Sequence, residues 1–204
     1  MISIAITGGI GSGKSYVCQL LAEMGIPMYD ADSQAKELMI TDEIIRRQLI
    51  DLLGDDVYLN GQLNKRLLAD YLFADETHAA TINGIVHPRV RHHFTAWLKA
   101  HAMCEVAGLE CAILFESGFQ DTVDVVITVS APYDVRLQRA MKRDNATAGQ
   151  IQARMDMQMP EEDKIKQSRF VINNDGVAPL LPQLASITST LKKENLTKIC
   201  VSAR

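Results

Sequence analysis

Eight residues near the N-terminus, Gly8-Gly9-Ile10-Gly11-Ser12-Gly13-Lys14-Ser15, constrain this chain more than any other segment. They follow an apolar run containing Ile2, Ile4 and Ile6. They precede a stretch in which Val17, Leu20, Leu21 and Met24 recur at i, i+3, i+4 and i+7, one helical stripe. Strand, glycine-rich turn and helix in direct succession predict an α/β unit. Glycines let consecutive backbone N–H groups turn toward one anion without a Cβ clash, and the following helix adds the positive end of its dipole. The spacing is that of the P-loop, G-x-x-x-x-G-K-[ST]. In it Lys14 would neutralise the β- and γ-phosphates of a nucleoside triphosphate, and the Ser15 hydroxyl would ligate Mg²⁺. An Asn-Lys-x-Asp guanine reader is missing, because Asn64-Lys65-Arg66 is followed by Leu67. ATP is therefore expected, not GTP.

The pattern then continues as follows. Gly25 reads as a helix cap and Ile26–Tyr29 as a second strand, ending at Asp30-Ala31-Asp32. From Ser33 to Met103 helix follows helix. Thr41 is expected to cap a helix bearing Ile44, Ile45, Leu49 and Leu52, and Asn60-Gly61 marks a turn. Leu63, Leu67 and Tyr71 start another stripe, and Pro88 suits a helix restart. The apolar runs Leu109–Phe115 and Val123–Val129 suit strands buried on both faces of a parallel sheet. Pro132 opens a helix, and Thr147 with Gln150 spells a capping box. Arg169–Asn173 reads as a last strand and Val177–Lys193 as a closing helix. The tail is expected to be either a small strand at Lys198–Val201 or frayed.

Composition narrows the function. A length of 204 residues with 47% hydrophobic content supports one or two domains. A net charge of −4 and 5% aromatics argue against a nucleic-acid coat or a stacking platform. Cys18, Cys104, Cys111 and Cys200 are widely spaced, so neither a zinc site nor a disulfide framework is expected. His87, His92, His93 and His101 contain no His-x-x-x-His pair, so no metal reading follows. The N-terminus has no basic region and reads as a strand, which predicts a cytoplasmic protein.

Acids and bases fall around the loop. Asp30 and Asp32 follow the second strand, at the end of a parallel sheet where ligands gather. A carboxylate there can orient an acceptor hydroxyl and take its proton, and Asp32 equally fits a helix N-cap. Glu116 is expected to close the third strand, where it would hold Mg²⁺, touch the acceptor or simply start a loop. Arg136, Arg139 and Arg143 share one helix face, with Lys142 nearby and Arg154 on the next helix. Such a stripe is either a solvated surface or a basic lid over a transferring phosphoryl group, and the P-loop favours the lid.

In this order the segments resemble the dephospho-CoA kinase family over nearly the whole chain. The matching pieces are Thr7 with Gly8–Ser15, Asp30-Ala31-Asp32, Leu63-Asn64-Lys65-Arg66, His87-Pro88, Leu114-Phe115-Glu116 and Gln138-Arg139 through Arg143-Asp144. Arg154 to Gln158, Pro160-Glu161-Glu162 and Val171 to Gly176 complete them. The resemblance implies a phosphotransferase that uses ATP and Mg²⁺ to phosphorylate the ribose 3′-hydroxyl of dephospho-CoA, the last step of coenzyme A biosynthesis. It implies a P-loop three-layer α/β fold: a mainly parallel five-stranded sheet, a helical substrate-binding insertion and a helical lid. Residues 1–32 and 104–204 would form the core, with the lid at about 136–160, and residues 33–103 the substrate domain.

Carried over residue by residue, Asp32, Lys14, Arg139 and Arg143 take catalytic roles. Gly9, Ile10, Gly11, Ser12, Gly13, Lys14, Ser15, Tyr16, Arg139 and Asn174 would bind ATP, Asn174 near the adenine. Thr7, Asp32, Lys65, His87 and Glu116 would meet the acceptor, and Ser15 the metal. Three positions depart from the family pattern: Tyr16 for threonine, Ala112 for proline and Lys65 for arginine, the last keeping charge but losing bidentate reach. A monomer or weak homo-oligomer with no nucleic-acid or membrane partner is expected. Two other readings stand beside this one. One is a nucleoside monophosphate or other small-molecule kinase of the same fold; the other is a P-loop module holding ATP as a structural or regulatory ligand.

Overall fold

The computed structural model describes residues 1–75 and 77–202, with side chains up to residue 195. The chain runs through β1 (Ile2–Thr7), α1 (Lys14–Glu23), β2 (Met28–Asp30), α2 (Ala31–Thr41) and α3 (Glu43–Leu53). A hairpin of β3 (Tyr58–Leu59) and β4 (Gln62–Leu63) follows, then α4 (Lys65–Ala74) and α5 (His78–Ala100). The remainder is β5 (Val106–Glu110), β6 (Val125–Ser130), α6 (Tyr133–Asp144), α7 (Ala148–Asp156), α8 (Glu161–Lys166), β7 (Phe170–Asn173) and α9 (Leu180–Ser202). Two compact units result, Met1–Asp30 with Leu98–Arg204, and Ala31–Trp97.

The first unit is built on a five-stranded sheet in the order β2-β5-β1-β6-β7, every neighbouring pair parallel. All six residues of the central strand β1 are buried, which explains an uninterrupted apolar run in place of alternation. Ile4 and Ile6 pack with Val17 and Leu21 of α1 and Leu184 and Leu191 of α9. Each fully buried isoleucine of this kind contributes about 1.5–3 kcal/mol. Parallel pairing places the carboxyl ends of β1, β2 and β5 together, with Ile6 opposite Glu110 and Asp30 opposite Glu110.

In the second unit, Asp42, not Thr41, caps α3: its carboxylate accepts from the N–H groups of Ile44 and Ile45 and also binds Arg89 at 2.7 Å. Two anchored roles hold the Asp42 carboxyl below the usual range, although burial alone would raise it. Asn60 and Gly61 both have positive φ, 51° and 78°, the conformation of a two-residue hairpin turn. The strands flanking that turn are too short to show a period in the sequence.

Four further expectations are corrected. Pro88 does not restart a helix but lies inside the 23-residue α5. The third strand ends at Glu110, and residues 112–118 form turns, so Glu116 does not close it. Leu114 is fully buried within that turn, and a buried turn has the same apolar signature as a strand. At the C-terminus α9 starts at Leu180 and continues to Ser202, so Lys198–Val201 is helical and not a strand. Among the described residues no helix is long and apolar enough to cross a membrane.

Candidate active site

The glycine loop bends between β1 and α1 with Gly11 at φ 78° and Gly13 at φ 90°, both in the left-handed region. A Cβ on Gly11 would collide with the Arg136 backbone, and one on Gly13 with the Asn174 amide. The loop is thus pressed against α6 on one side and the end of β7 on the other, and only glycine fits at these two points. Lys14 Nζ donates to the carbonyls of Gly8 at 2.9 Å and Gly9 at 3.1 Å. The hydroxyls of Thr7 and Ser12 are buried at the loop and make no hydrogen bond to protein.

Long-range contacts on Ser12, Ile10 and Ser15 fix the loop, and Arg139 supports the first of them. Asn174 Nδ2 donates to the Ser12 carbonyl at 2.7 Å, and Arg139 donates to the Asn174 carbonyl at 2.9 Å. Gln158 Oε1 accepts from the Ile10 N–H at 3.0 Å. Ser15 Oγ donates to Glu110 Oε1 at 2.7 Å. Beneath this pair the Cys18 thiol is pushed well above its ordinary range by burial and then by the Glu110 charge, which makes it unreactive.

A cavity of about 210 Å³ opens over the loop, lined by Gly11, Gly13, Lys14, Ser15, Tyr16, Arg139, Ala140 and Arg143. The structure therefore gathers Lys14, Ser15, Tyr16, Arg139 and Arg143 around one space. Arg136 does not join them. Its guanidinium pairs with Glu161 at 2.8 Å and its Nε donates to the Ala131 carbonyl, so it braces the start of α6. Arg143 and Arg154 share the Asp144 carboxylate, at 2.7 and 2.6 Å. Hydrogen bonds from these two guanidiniums hold Asp144 far below the usual carboxylate range.

Glu116 has partners of another kind. It binds the fully buried Lys164 at 3.0 Å and accepts the Met159 N–H at 2.8 Å. Burial would raise its carboxyl, but the backbone N–H groups and Lys164 outweigh that and lower it. Because Met159 follows Gln158, this pair also sets the residue that caps Ile10.

In the second unit Asp32 occupies the first turn of α2. His87 lies in α5, half-buried; burial and then Arg91 push its imidazole below the ordinary value, opposed by Asp32. Lys65 begins α4 and lines a separate cavity. Sequence reasoning missed Glu110, whose signal was hidden by the misplaced strand end, and gave Gln158 no role. Among the described residues no group of three or more His, Cys, Asp or Glu side chains converges to hold a metal.

The family model described as dephospho-CoA kinase matches residues 2–179. A Bacteroides fragilis protein named dephospho-CoA kinase is 50% identical over 93% of both chains. One of that name from Porphyromonas gingivalis is 40% identical over 94% of this chain and 95% of its own. A crystal structure from Thermus thermophilus superposes with a TM-score of 0.73 at 30% identity, covering 99% of this chain and 97% of that one. The Campylobacter jejuni dephospho-CoA kinase structure shares the fold, with a TM-score of 0.65 at 20% identity over 97% and 94% of the two chains.

Proposed function

The chain belongs to the dephospho-CoA kinase family, and from that premise we propose how its residues divide the reaction. The chemistry is ATP-dependent phosphorylation of dephospho-CoA. The acceptor atom is the ribose 3′-hydroxyl and the product coenzyme A. The observation that carries the reading is the cavity in which Lys14, Ser15, Arg139 and Arg143 meet over the glycine loop. Backbone N–H groups of the loop and the N-terminus of α1 bind the phosphates of ATP, and Lys14 neutralises the β- and γ-phosphates.

Arg139 and Arg143 offset charge on the transferring group and help exclude water. Asp32 orients the 3′-hydroxyl and accepts its proton as the new O–P bond forms and the bond from the γ-phosphorus to the β-phosphate oxygen breaks, releasing ADP. Ser15 and Glu110 would hold Mg²⁺, since both present oxygen, the donor a hard cation prefers. When bound, the ion would neutralise phosphate charge. Gln158, Asn174 and Glu116 keep the loop and its neighbours in register, and Tyr16, 55% exposed, borders the nucleotide. Residues 31–97 carry the acceptor, with Lys65 and His87 among its contacts.

The protein works in the cytoplasm as a monomer or weak homo-oligomer on small molecules. Free thiols at Cys18 and Cys104 support a reducing compartment, and the net charge of −4 disfavours nucleic acid. The test is an acceptor panel with Mg²⁺-ATP: dephospho-CoA, AMP, CMP and dTMP. Transfer to dephospho-CoA in clear preference is expected. Preference for a nucleoside monophosphate, or ATP binding with no transfer, overturns the reading.

A further inference from the structure

Gly9 differs from the other glycines of the loop. Gly8, Gly11 and Gly13 all have positive φ, and Gly9 does not. A left-handed backbone is therefore not what requires glycine there. What excludes a side chain is Arg136: a Cβ on Gly9 would collide with Nη1 of its guanidinium.

The end of an arginine has rotamer freedom and ordinarily swings aside. This one is fastened. Its Nε donates to the Ala131 carbonyl at 3.1 Å, and Nη2 pairs with Glu161 Oε2 at 2.8 Å. The other oxygen of Glu161 accepts the Ala131 N–H at 3.2 Å, which fixes the carboxylate in turn. The two side chains are only 12% and 14% exposed, so parting them would leave a largely buried charge without its counter-charge. The guanidinium is thus clamped against Gly9.

The Gly9 carbonyl links this clamp to the chemistry. It accepts the Ser12 N–H at 3.2 Å, which closes the turn of the loop, and it accepts Lys14 Nζ at 3.1 Å. The Gly8 carbonyl accepts the same ammonium at 2.9 Å. A shift of the Gly9 peptide therefore moves one of the carbonyls that aim Lys14.

We propose that Arg136 is a positioning residue for phosphoryl transfer: clamped by Glu161, it seats the Gly9 peptide from which Lys14 is aimed at the phosphates. The role rests on the reading of Lys14 as the phosphate clamp. It sets Arg136 apart from Arg139 and Arg143, which line the cavity over the loop themselves. Glycine at position 9 and arginine at position 136 then form one device, each required because of the other.

Steady-state kinetics of the wild type, Gly9→Ala, Arg136→Ala and the double variant test this coupling, with urea unfolding of each alongside. Gly9→Ala and Arg136→Ala should each lower kcat roughly 10- to 100-fold, with little change in the KM for dephospho-CoA. The double variant should be no slower than Arg136→Ala, because the added methyl acts only by displacing the guanidinium. Losses that multiply in the double variant overturn the proposal. So does an Arg136→Ala enzyme that unfolds at lower urea but keeps the wild-type kcat, since that outcome leaves Arg136 in the fold alone. Arg136→Lys keeps the charge and loses the fork, so it should recover little of the rate. Full recovery with lysine makes charge alone the requirement and also overturns the proposal. If Gly9→Ala does not fold, Glu161→Ala takes its place in the comparison and is read in the same way. Wild-type enzyme that transfers nothing to dephospho-CoA overturns the underlying reading itself, an outcome that needs no variant to recognise.

Discussion

Ser15 Oγ donates to Glu110 Oε1 at 2.7 Å, joining the last residue of the glycine loop to the last residue of β5. The two are 95 positions apart in sequence, and it is the parallel sheet that brings them together. Parallel pairing sets Glu110 opposite both Ile6 of β1 and Asp30 of β2, so an acid at the end of β5 falls beside the loop that leaves β1. In our proposal this pair is the protein's share of the Mg²⁺ site.

Glu110→Ala should therefore raise the Mg²⁺ concentration giving half-maximal rate by roughly 10- to 100-fold, the effect of losing a group that holds or orients a metal's ligands. Binding of ATP measured without Mg²⁺ should change little. A parallel loss in both measurements would mean that Glu110 merely shapes the loop.

Asp32→Asn keeps the volume of the side chain and removes its ability to accept a proton. Turnover should fall roughly 10²- to 10⁴-fold, with little change in the KM for ATP. An undiminished rate takes Asp32 out of the base role and leaves it as a residue of the first turn of α2.

Arg139 and Arg143 face the same cavity but are anchored differently, one on the Asn174 carbonyl and the other on Asp144. Arg139→Ala and Arg143→Ala should each lower turnover by roughly 10²- to 10³-fold if they stabilise the transferring group. Asp144→Ala should cost less, because it frees Arg143 and Arg154 without removing either charge. Single-turnover rates at saturating ATP separate these cases from weakened nucleotide binding.

What could be read from the sequence followed from how local each signal is. The glycine loop, the Thr147–Gln150 capping box and the Asn60-Gly61 turn involve neighbours within a few residues, and the structure contains all three. The end of β5 leaves no such local mark, because a buried turn with Leu114 at its centre continues the strand's apolar run. Pro88 has the local signature of a boundary, yet α5 runs through it with Val86, Val90 and Phe94 buried on either side; packing overrides the missing N–H there. The arginine stripe does not tell Arg136 from its neighbours, since its partner Glu161 is 25 positions away in sequence. The contact of Ser12 with Asn174 spans 162 positions and leaves no local trace.

The Glu116–Lys164 pair gives the stability of this protein a defined pH dependence. Lys164 is fully buried and has one other acceptor, the Ala112 carbonyl at 3.0 Å. Glu116→Gln leaves that cation without a counter-charge, which should cost about 2–3 kcal/mol at neutral pH. Glu116 is held below its ordinary value of 4.5 in the folded protein, so its contribution is fully present above that value. As pH falls through the lowered value the wild-type carboxyl also protonates, and the contribution is lost. Urea unfolding from neutral pH down to about pH 3 should show the wild type and the variant converging as the solution acidifies. A gap that stays constant would place the effect in the neutral hydrogen bond to Met159 and not in the ion pair. Since Met159 adjoins Gln158, the variant should also raise the KM for ATP, and Glu116→Asp should restore part of both losses.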